Sequence, residues 1–333
     1  MKYIIVIPSN HHQLGLFRDL EGRPDTEILV ARPKKIRNVF LKLVQRVHNH
    51  HALNSIVRLP FRQIWDEKIR FKLDENGNYC IVYLDGSLLH LDRNYLDKVF
   101  RMENTRNVLV LINSLNAASL SMMEVKPMIG QFKWDAIYTF DPEDARTQNY
   151  RELGCCYYSM RDPAELLQKY PCETMNDVYF TGGLKGARDE MILSMFKKLD
   201  DAGLKADFHL MYWGKKRLQK KLYADKIHYF TDWMSYENVL AGVLRSKVII
   251  EILQEGQNGP SLRYYEAVCY NKKLLSNNPH IVNFPYYDPC YMKHFSSLDD
   301  IDLEWIAEDT KVDYHYKGDF SPIHLLELVR EKD

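Results

Sequence analysis

The sequence predicts a two-domain α/β protein built from parallel sheets covered by helices on both faces. Three observations carry that prediction. Short apolar runs alternate with helix-period patterns from end to end, and the runs are continuously apolar, as in strands buried on both sides. The alternation also starts afresh near Asp177, after a looser stretch punctuated by Pro142, Pro163 and Pro171. The chain has 333 residues, 46% of them apolar; at roughly 150 residues per domain that is enough for two cores.

In the first half, strands are expected over residues 3–7, 27–31, 79–84, 108–112 and 136–140, each a short run such as YIIVI or YCIVYL. Helical spacing falls between them, over 36–47, 62–72, 94–101 and 119–132. In the second half, strands are expected over 178–181, 207–212, 227–230, 248–252 and 273–276, and helices over 187–202, 235–245, 261–270 and 322–330. The boundary is placed at about residue 172, giving domains 1–172 and 173–333. Two such domains leave a cleft between the carboxyl ends of their strands, where open sheets bind ligands.

Charge excludes some classes. Lys and Arg number 45 and so do Asp and Glu; a nucleic-acid binder would show a basic excess. The six cysteines form no CxxC pair and no zinc-type Cys/His spacing, so no metal site is expected, and scattered thiols fit a reducing, cytoplasmic setting. The apolar run at 3–7 is too short for a signal-peptide core and reads as a first buried strand. One segment departs from neutrality. Between Glu27 and Asp66 there is no acidic residue, but there are eight basic ones within 32–62. Ile36, Val39, Phe40, Leu43, Val44 and Val47 fall at helical spacing there, so one face is expected to pack with the basic residues outside. That basic face is either a plain solvated one or a surface attracted to anionic lipid at the inner side of the membrane or to a diphosphate-bearing substrate.

The most informative stretch runs from Val248 to Asn278, read as strand, glycine-containing loop, helix and strand. Gly256 and Gly259 permit close backbone approach, and Pro260 suits a first helical turn. N–H groups at that helix start can receive a phosphate, with the Ser261 hydroxyl assisting. Arg263 can grip a diphosphate in a fork, and Glu266 can accept both ribose hydroxyls, although the two could equally form an ordinary i, i+3 ion pair.

The pattern Q-x-G-x-S-L-R-x-x-E-A (Gln257 to Ala267) followed by K-K-L-L-S-N-N (Lys272 to Asn278) resembles bacterial glycosyltransferases of capsular and lipopolysaccharide gene clusters. FDPEDA (Phe140 to Ala145) and DVYFTGGLKGARDEMI (Asp177 to Ile192) look like the same family, and the likeness runs from about Ala136 to Phe295. It implies the glycosyltransferase B architecture: two Rossmann-like domains facing across a cleft, the nucleotide-sugar donor in the second and the acceptor largely in the first. It makes Glu266 the ribose ligand. Leu262 belongs to the donor-binding motif with Gly259, Ser261 and Arg263, and the loop carrying Gly183, Lys185 and Arg188 would hold donor phosphates without a required metal or other cofactor. Retaining members carry two glutamates at closer spacing than Glu255 and Glu266, so no stereochemistry is implied.

The expected activity is transfer of a sugar from a nucleotide donor to a lipid-linked cell-surface polysaccharide or lipopolysaccharide precursor. The alternatives are a non-catalytic nucleotide-sugar-binding module or a nucleotide-sugar epimerase of the same fold. Arg263 would stabilise the leaving diphosphate. A base on the acceptor could come from His12, beside His11 after the first strand, or from Asp141, which reads equally as the N-cap of a turn through Pro142. Trp233 and Tyr236 either stack on the base or belong to the core.

Overall fold

The computed structural model describes residues 1–8, 15–31, 38–48, 72–74, 76–91, 93–116, 120–171, 174–184, 188–212, 222–232 and 234–330. The expected helix over 62–72 lies outside these residues except for its last position. The first half forms a six-stranded sheet of β1 (Lys2–Pro8), β2 (Thr26–Ala31), β3 (Tyr79–Leu84), β4 (Thr105–Leu111), β5 (Ala136–Thr139) and β6 (Arg151–Glu152). The spatial order is β2-β1-β3-β4-β5-β6, and every pairing is parallel. Its described helices are α1 (Val39–His48), α2 (Arg93–Val99), α3 (Leu120–Ile129), α4 (Pro142–Gln148) and α5 (Pro163–Lys169).

The second half forms another six-stranded parallel sheet of β7 (Asn176–Gly183), β8 (Ala206–Met211), β9 (His228–Phe230), β10 (Ser246–Glu251), β11 (Lys273–Ser276) and β12 (Met292–His294). Its order is β12-β11-β10-β7-β8-β9. Its helices are α6 (Arg188–Asp201), α7 (Tyr236–Leu244), α8 (Leu262–Cys269), α9 (Leu303–Ala307) and α10 (Pro322–Arg330). Both sheets are doubly wound, and each has one point where chain order reverses: between β1 and β3 in the first, between β7 and β10 in the second.

Strand period two divides the core. In the first sheet, Ile4, Val6, Ile81, Tyr83, Leu109 and Leu111 face α2 and α3. In the second, Val178, Phe180, Phe208, Leu210, Val248 and Ile250 face α6 and α9. The opposite faces join. Ile5, Val82, Val110 and Tyr138 of the first sheet share one continuous buried cluster with Tyr179, Ile249 and Leu274 of the second, through α7, α8, Tyr157, Tyr158 and Phe320. Tyr158 stacks on Tyr265 with centroids 5.5 Å apart, and Tyr157 meets the same ring edge-on at 5.1 Å. α10 completes the seam by returning to the first sheet, where the Tyr138 hydroxyl donates to the Leu328 carbonyl (3.2 Å) and Ser321 Oγ to Asp19 (2.6 Å). On the seam, the loop before α8 comes so close to the first sheet that a Cβ on Gly259 would lie 2.5 Å from the Phe140 ring.

Three sequence expectations change. Short elements without a strong period, β6, β12, α5 and α9, were not expected, and the turn expected through Pro142 is the helix α4. The apolar face of the basic helix does not pack: Val39, Phe40, Leu41, Leu43 and Val47 are all exposed, Val39 and Phe40 at 81% and 70%. Helical spacing reports that apolar residues share a face, not that a neighbour covers it.

Gly259→Ala should overpack the seam and cost about 2 kcal/mol, seen as a lower urea midpoint with an unchanged slope.

Candidate functional site

The reversal point of the second sheet carries a pocket of about 180 Å³. Its walls are the ends of β7 (Phe180 to Gly182) and β10 (Ile250 and Glu251), the loop through Gln254 and Gln257, Arg188 opening α6, and Ser261 to Arg263 opening α8. Sheet topology alone places a ligand crevice there, because adjacent strands send their connections to opposite faces at that point.

Arg188 and Arg263 are the cations of the pocket wall, which Glu251 shares. The Arg188 guanidinium ties the two strand ends together, donating to the Gly183 carbonyl through Nε (3.3 Å) and Nη2 (2.8 Å) and to the Ile252 carbonyl through Nη1 (2.8 Å). Among the described residues no carboxylate forms an ion pair with it, and its burial lowers its pKa. Arg263, 14% exposed at the side chain, pairs with Glu266 one turn along α8 at 2.5 Å.

Glu251 is the residue that sequence reasoning missed here. It closes the strand S-K-V-I-I-E directly after three apolar residues, and is 2% exposed. Its Oε1 accepts from the Ser261 N–H (3.3 Å) and hydroxyl, and its Oε2 from the Ser276 hydroxyl. Ser261 Oγ in turn accepts from the Arg263 N–H at 3.1 Å, capping α8. Burial raises the Glu251 pKa, while the two serines and Arg263 oppose the shift. The first turn of α8 thus already faces a carboxylate of the protein itself. An acidic residue ending an apolar strand just before a helix start was the signal available in the sequence.

Several expected site residues are engaged with partners in the protein itself. Ser261 does not offer a free hydroxyl to phosphate, since its proton goes to Glu251. Glu266 is 0% exposed, outside the pocket lining, and bound to Arg263 and to the Tyr236 hydroxyl (2.9 Å). Burial pushes its pKa up to about 7, against the pull of Arg263 and Tyr236. Tyr236 belongs to the core, hydrogen-bonded also with Tyr158 at 3.0 Å. Gly259 faces Phe140 rather than the pocket. Gly183 serves through its carbonyl, which holds Arg188.

Asp141 is a cap and latch in this structure. Its Oδ1 accepts from the Glu143 and Asp144 N–H groups (2.9 and 3.4 Å), and its Oδ2 accepts from the Ser114 hydroxyl and, across the seam, from the Asn258 N–H (3.1 Å). Its oxygens are so committed, and it is 1% exposed. Of the expected residues, the structure brings Arg188, Ser261, Leu262 and Arg263 to one pocket. His11, His12, Lys185 and Trp233 lie outside the described residues.

The K-K-L-L-S-N-N segment turns out to be scaffolding. Lys272 Nζ donates to the Leu244 carbonyl at the end of α7 (2.9 Å), and buried Lys273 donates to the Trp305 and Glu308 carbonyls (2.6 and 2.7 Å). Asn277 Oδ1 accepts from the Leu253 N–H (2.8 Å), and Asn278 Nδ2 reaches the Asn258 and Gly259 carbonyls, both at 3.3 Å. The asparagines therefore shape the loop lining the pocket.

Comparison with known proteins agrees on architecture. No family model and no curated protein matches the chain. Among solved structures, the trehalose-6-phosphate synthase OtsA aligns over 100% of both chains at 10% identity with a TM-score of 0.56. An E. coli trehalose-6-phosphate protein bound with UDP-2-fluoro glucose gives the same figures. An alpha-glucosyltransferase in complex with UDP-glucose and DNA containing an abasic site aligns over 99% of this chain and 100% of its own, at 10% identity and a TM-score of 0.50. The fold is glycosyltransferase B. It consists of two Rossmann-like domains, as the two doubly wound sheets require.

The reversal point of the first sheet holds a second overlooked carboxyl. Asp85 follows β3 directly, is 1% exposed, and accepts from the Gly86 N–H (2.5 Å), the Ile112 N–H (3.2 Å) and Asn113 Nδ2 (3.0 Å). Burial outweighs these bonds and pushes its pKa up to about 6 from 3.8. The folded state therefore holds this proton more tightly than the unfolded chain, and the stability it confers fades as pH rises through about 6. Relative to Asp85→Asn, the wild type should lose about 1 kcal/mol between pH 5 and pH 7, measured by urea unfolding of both proteins across that range.

Proposed function

We propose that this protein is a glycosyltransferase that moves a sugar from a nucleotide-sugar donor, held in the second domain, to a cell-surface glycan precursor approaching from the first. The observation that carries this is the pair of guanidinium groups, Arg188 and Arg263, on one pocket at the reversal point of a Rossmann-like sheet. Breaking a sugar–phosphate bond leaves charge on the departing diphosphate, and prepositioned donors lower the barrier where that charge develops. Arginine suits the task because its planar fork matches paired phosphate oxygens. Arg188 is held by two strand-end carbonyls, so it is oriented before a ligand arrives. The UDP ligands of two proteins with this fold support uridine nucleotides as the first to try.

The lipid-linked, capsular or lipopolysaccharide-type acceptor rests on the resemblance of the Gln257 to Asn278 motif and on α1. Five apolar side chains stand exposed on α1, in a segment that carries eight basic residues within 32–62 and no acid between Glu27 and Asp66. Apolar insertion and attraction to anionic headgroups reinforce each other on such a helix. No helix among the described residues is long and apolar enough to cross a membrane.

Arg188→Ala and Arg263→Lys should each weaken UDP binding at least tenfold, about 1.4 kcal/mol, by isothermal titration; the lysine variant retains a cation beside Glu266. Unchanged affinity in both variants would remove the pocket from the mechanism. Binding without transfer or hydrolysis of any nucleotide sugar would favour the non-catalytic module instead.

The protein should also co-sediment with phosphatidylglycerol-containing vesicles more than with phosphatidylcholine vesicles. Phe40→Asp/Leu43→Asp should cut the bound fraction at least tenfold, about 1.4 kcal/mol, and added salt should weaken binding of the wild type. Equal partitioning onto the two lipids would discard the anionic-surface reading and leave the donor site untouched.

A further inference from the structure

We propose that Asp207, His209 and His228 form a binding site for a divalent transition-metal ion at the β8–β9 edge of the second sheet. Asp207 and His209 stand two residues apart on β8 and share one face of the sheet. The register of β8 with β9 sets His228 directly beside His209. The three side chains converge. His209 Nε2 lies 2.8 Å and His228 Nε2 3.8 Å from the same oxygen, Asp207 Oδ1, and all three ligand atoms fall within 4.8 Å of one another. The two imidazoles stack with centroids 4.6 Å apart and planes 24° from parallel; because a ring nitrogen donates in its ring plane, the exposed His228 ring must turn for both nitrogens to aim at one ion.

Metal–ligand bonds near 2.0–2.2 Å in a tetrahedral site put neighbouring ligand atoms about 3.3 Å apart. The spacings found here bracket that value, and His228, 68% exposed at its side chain, has room to adjust. The other carboxylate oxygen, Oδ2, is held by Asn176 Nδ2 at 3.2 Å, which leaves Oδ1 facing the histidines. Outer partners of this kind orient a ligand before the ion binds. Two imidazoles and one carboxylate suit zinc, cobalt or nickel and discriminate against magnesium and calcium, which prefer all-oxygen sites. Solvent at exposed His228 supplies the remaining coordination position.

None of the three residues lines the arginine pocket, so the inference stands apart from the donor-site reading. The bound ion would fasten the three-residue strand β9 to its neighbour. Inspection of Cys/His spacing misses the cluster, because the third ligand joins the other two only through strand pairing.

The test uses the full chain, stripped with EDTA and titrated with Zn²⁺ and with Co²⁺. Histidines elsewhere also bind metal, so the measurement is a difference between proteins. The wild type should bind one more equivalent of Zn²⁺ than His228→Ala or Asp207→Asn. Its melting temperature should rise with Zn²⁺ by more than theirs, since an ion that binds the folded state stabilises it, and Co²⁺ should give it a visible d–d band absent from both variants. His228→Ala removes an exposed side chain, and its melting temperature without metal serves as the folding control. Equal stoichiometry, equal thermal response and equal Co²⁺ spectra in all three proteins would overturn the proposal and leave His209–Asp207 as a simple hydrogen-bonded pair.

Discussion

Two doubly wound sheets in one chain need a shared surface to fix their relation, and here an aromatic seam provides it. Tyr157, Tyr158, Tyr264, Tyr265 and Phe320 lie in a single buried cluster with one face of each sheet. Large rings bury much area while losing few torsions, and their edge-to-face contacts fix an angle as well as a distance. The pocket depends on that seam. Asn258 N–H reaches across to Asp141, Gly259 packs under Phe140, and Asn278 holds the same loop from the other side. The loop that lines the arginine pocket is therefore shaped by both halves of the protein.

Polar groups threaded through the seam link it to the pocket. Tyr158 from the first half is hydrogen-bonded with Tyr236, Tyr236 donates to Glu266, and Glu266 pairs with Arg263, whose guanidinium lines the pocket wall. A carboxylate with 0% exposure is costly unless paired. The raised pKa of Glu266 expresses that cost, and Arg263 offsets part of it. Arg263 is thus anchored at one side by a charge that cannot reach water and open to the pocket on the other. Glu251 plays the matching part for α8, presenting a resident carboxylate to Ser261 at the helix start. Arg188 and Arg263 then remain as the cations on the pocket wall.

The sequence by itself determined the architecture. Continuous apolar runs such as residues 79–84, Asp141–Pro142 and Ser235 at helix starts, and the restart near Asp177 are local properties, since burial on both faces, capping and proline stereochemistry act within a few residues. The donor-site group came from the resemblance of two separate motifs rather than from locality, and of its eight residues Arg188, Ser261, Leu262 and Arg263 line one pocket. What only the tertiary structure decided was who faces whom. Glu266, Gly259 and Asp141 were turned to the seam, Glu251 and Asp85 were placed at the reversal points, His228 was set beside His209, and α1 was left with its apolar face uncovered. These depend on contacts between residues far apart in the chain, and a carboxylate's role follows from the donors and solvent around it, which spacing along the sequence does not encode.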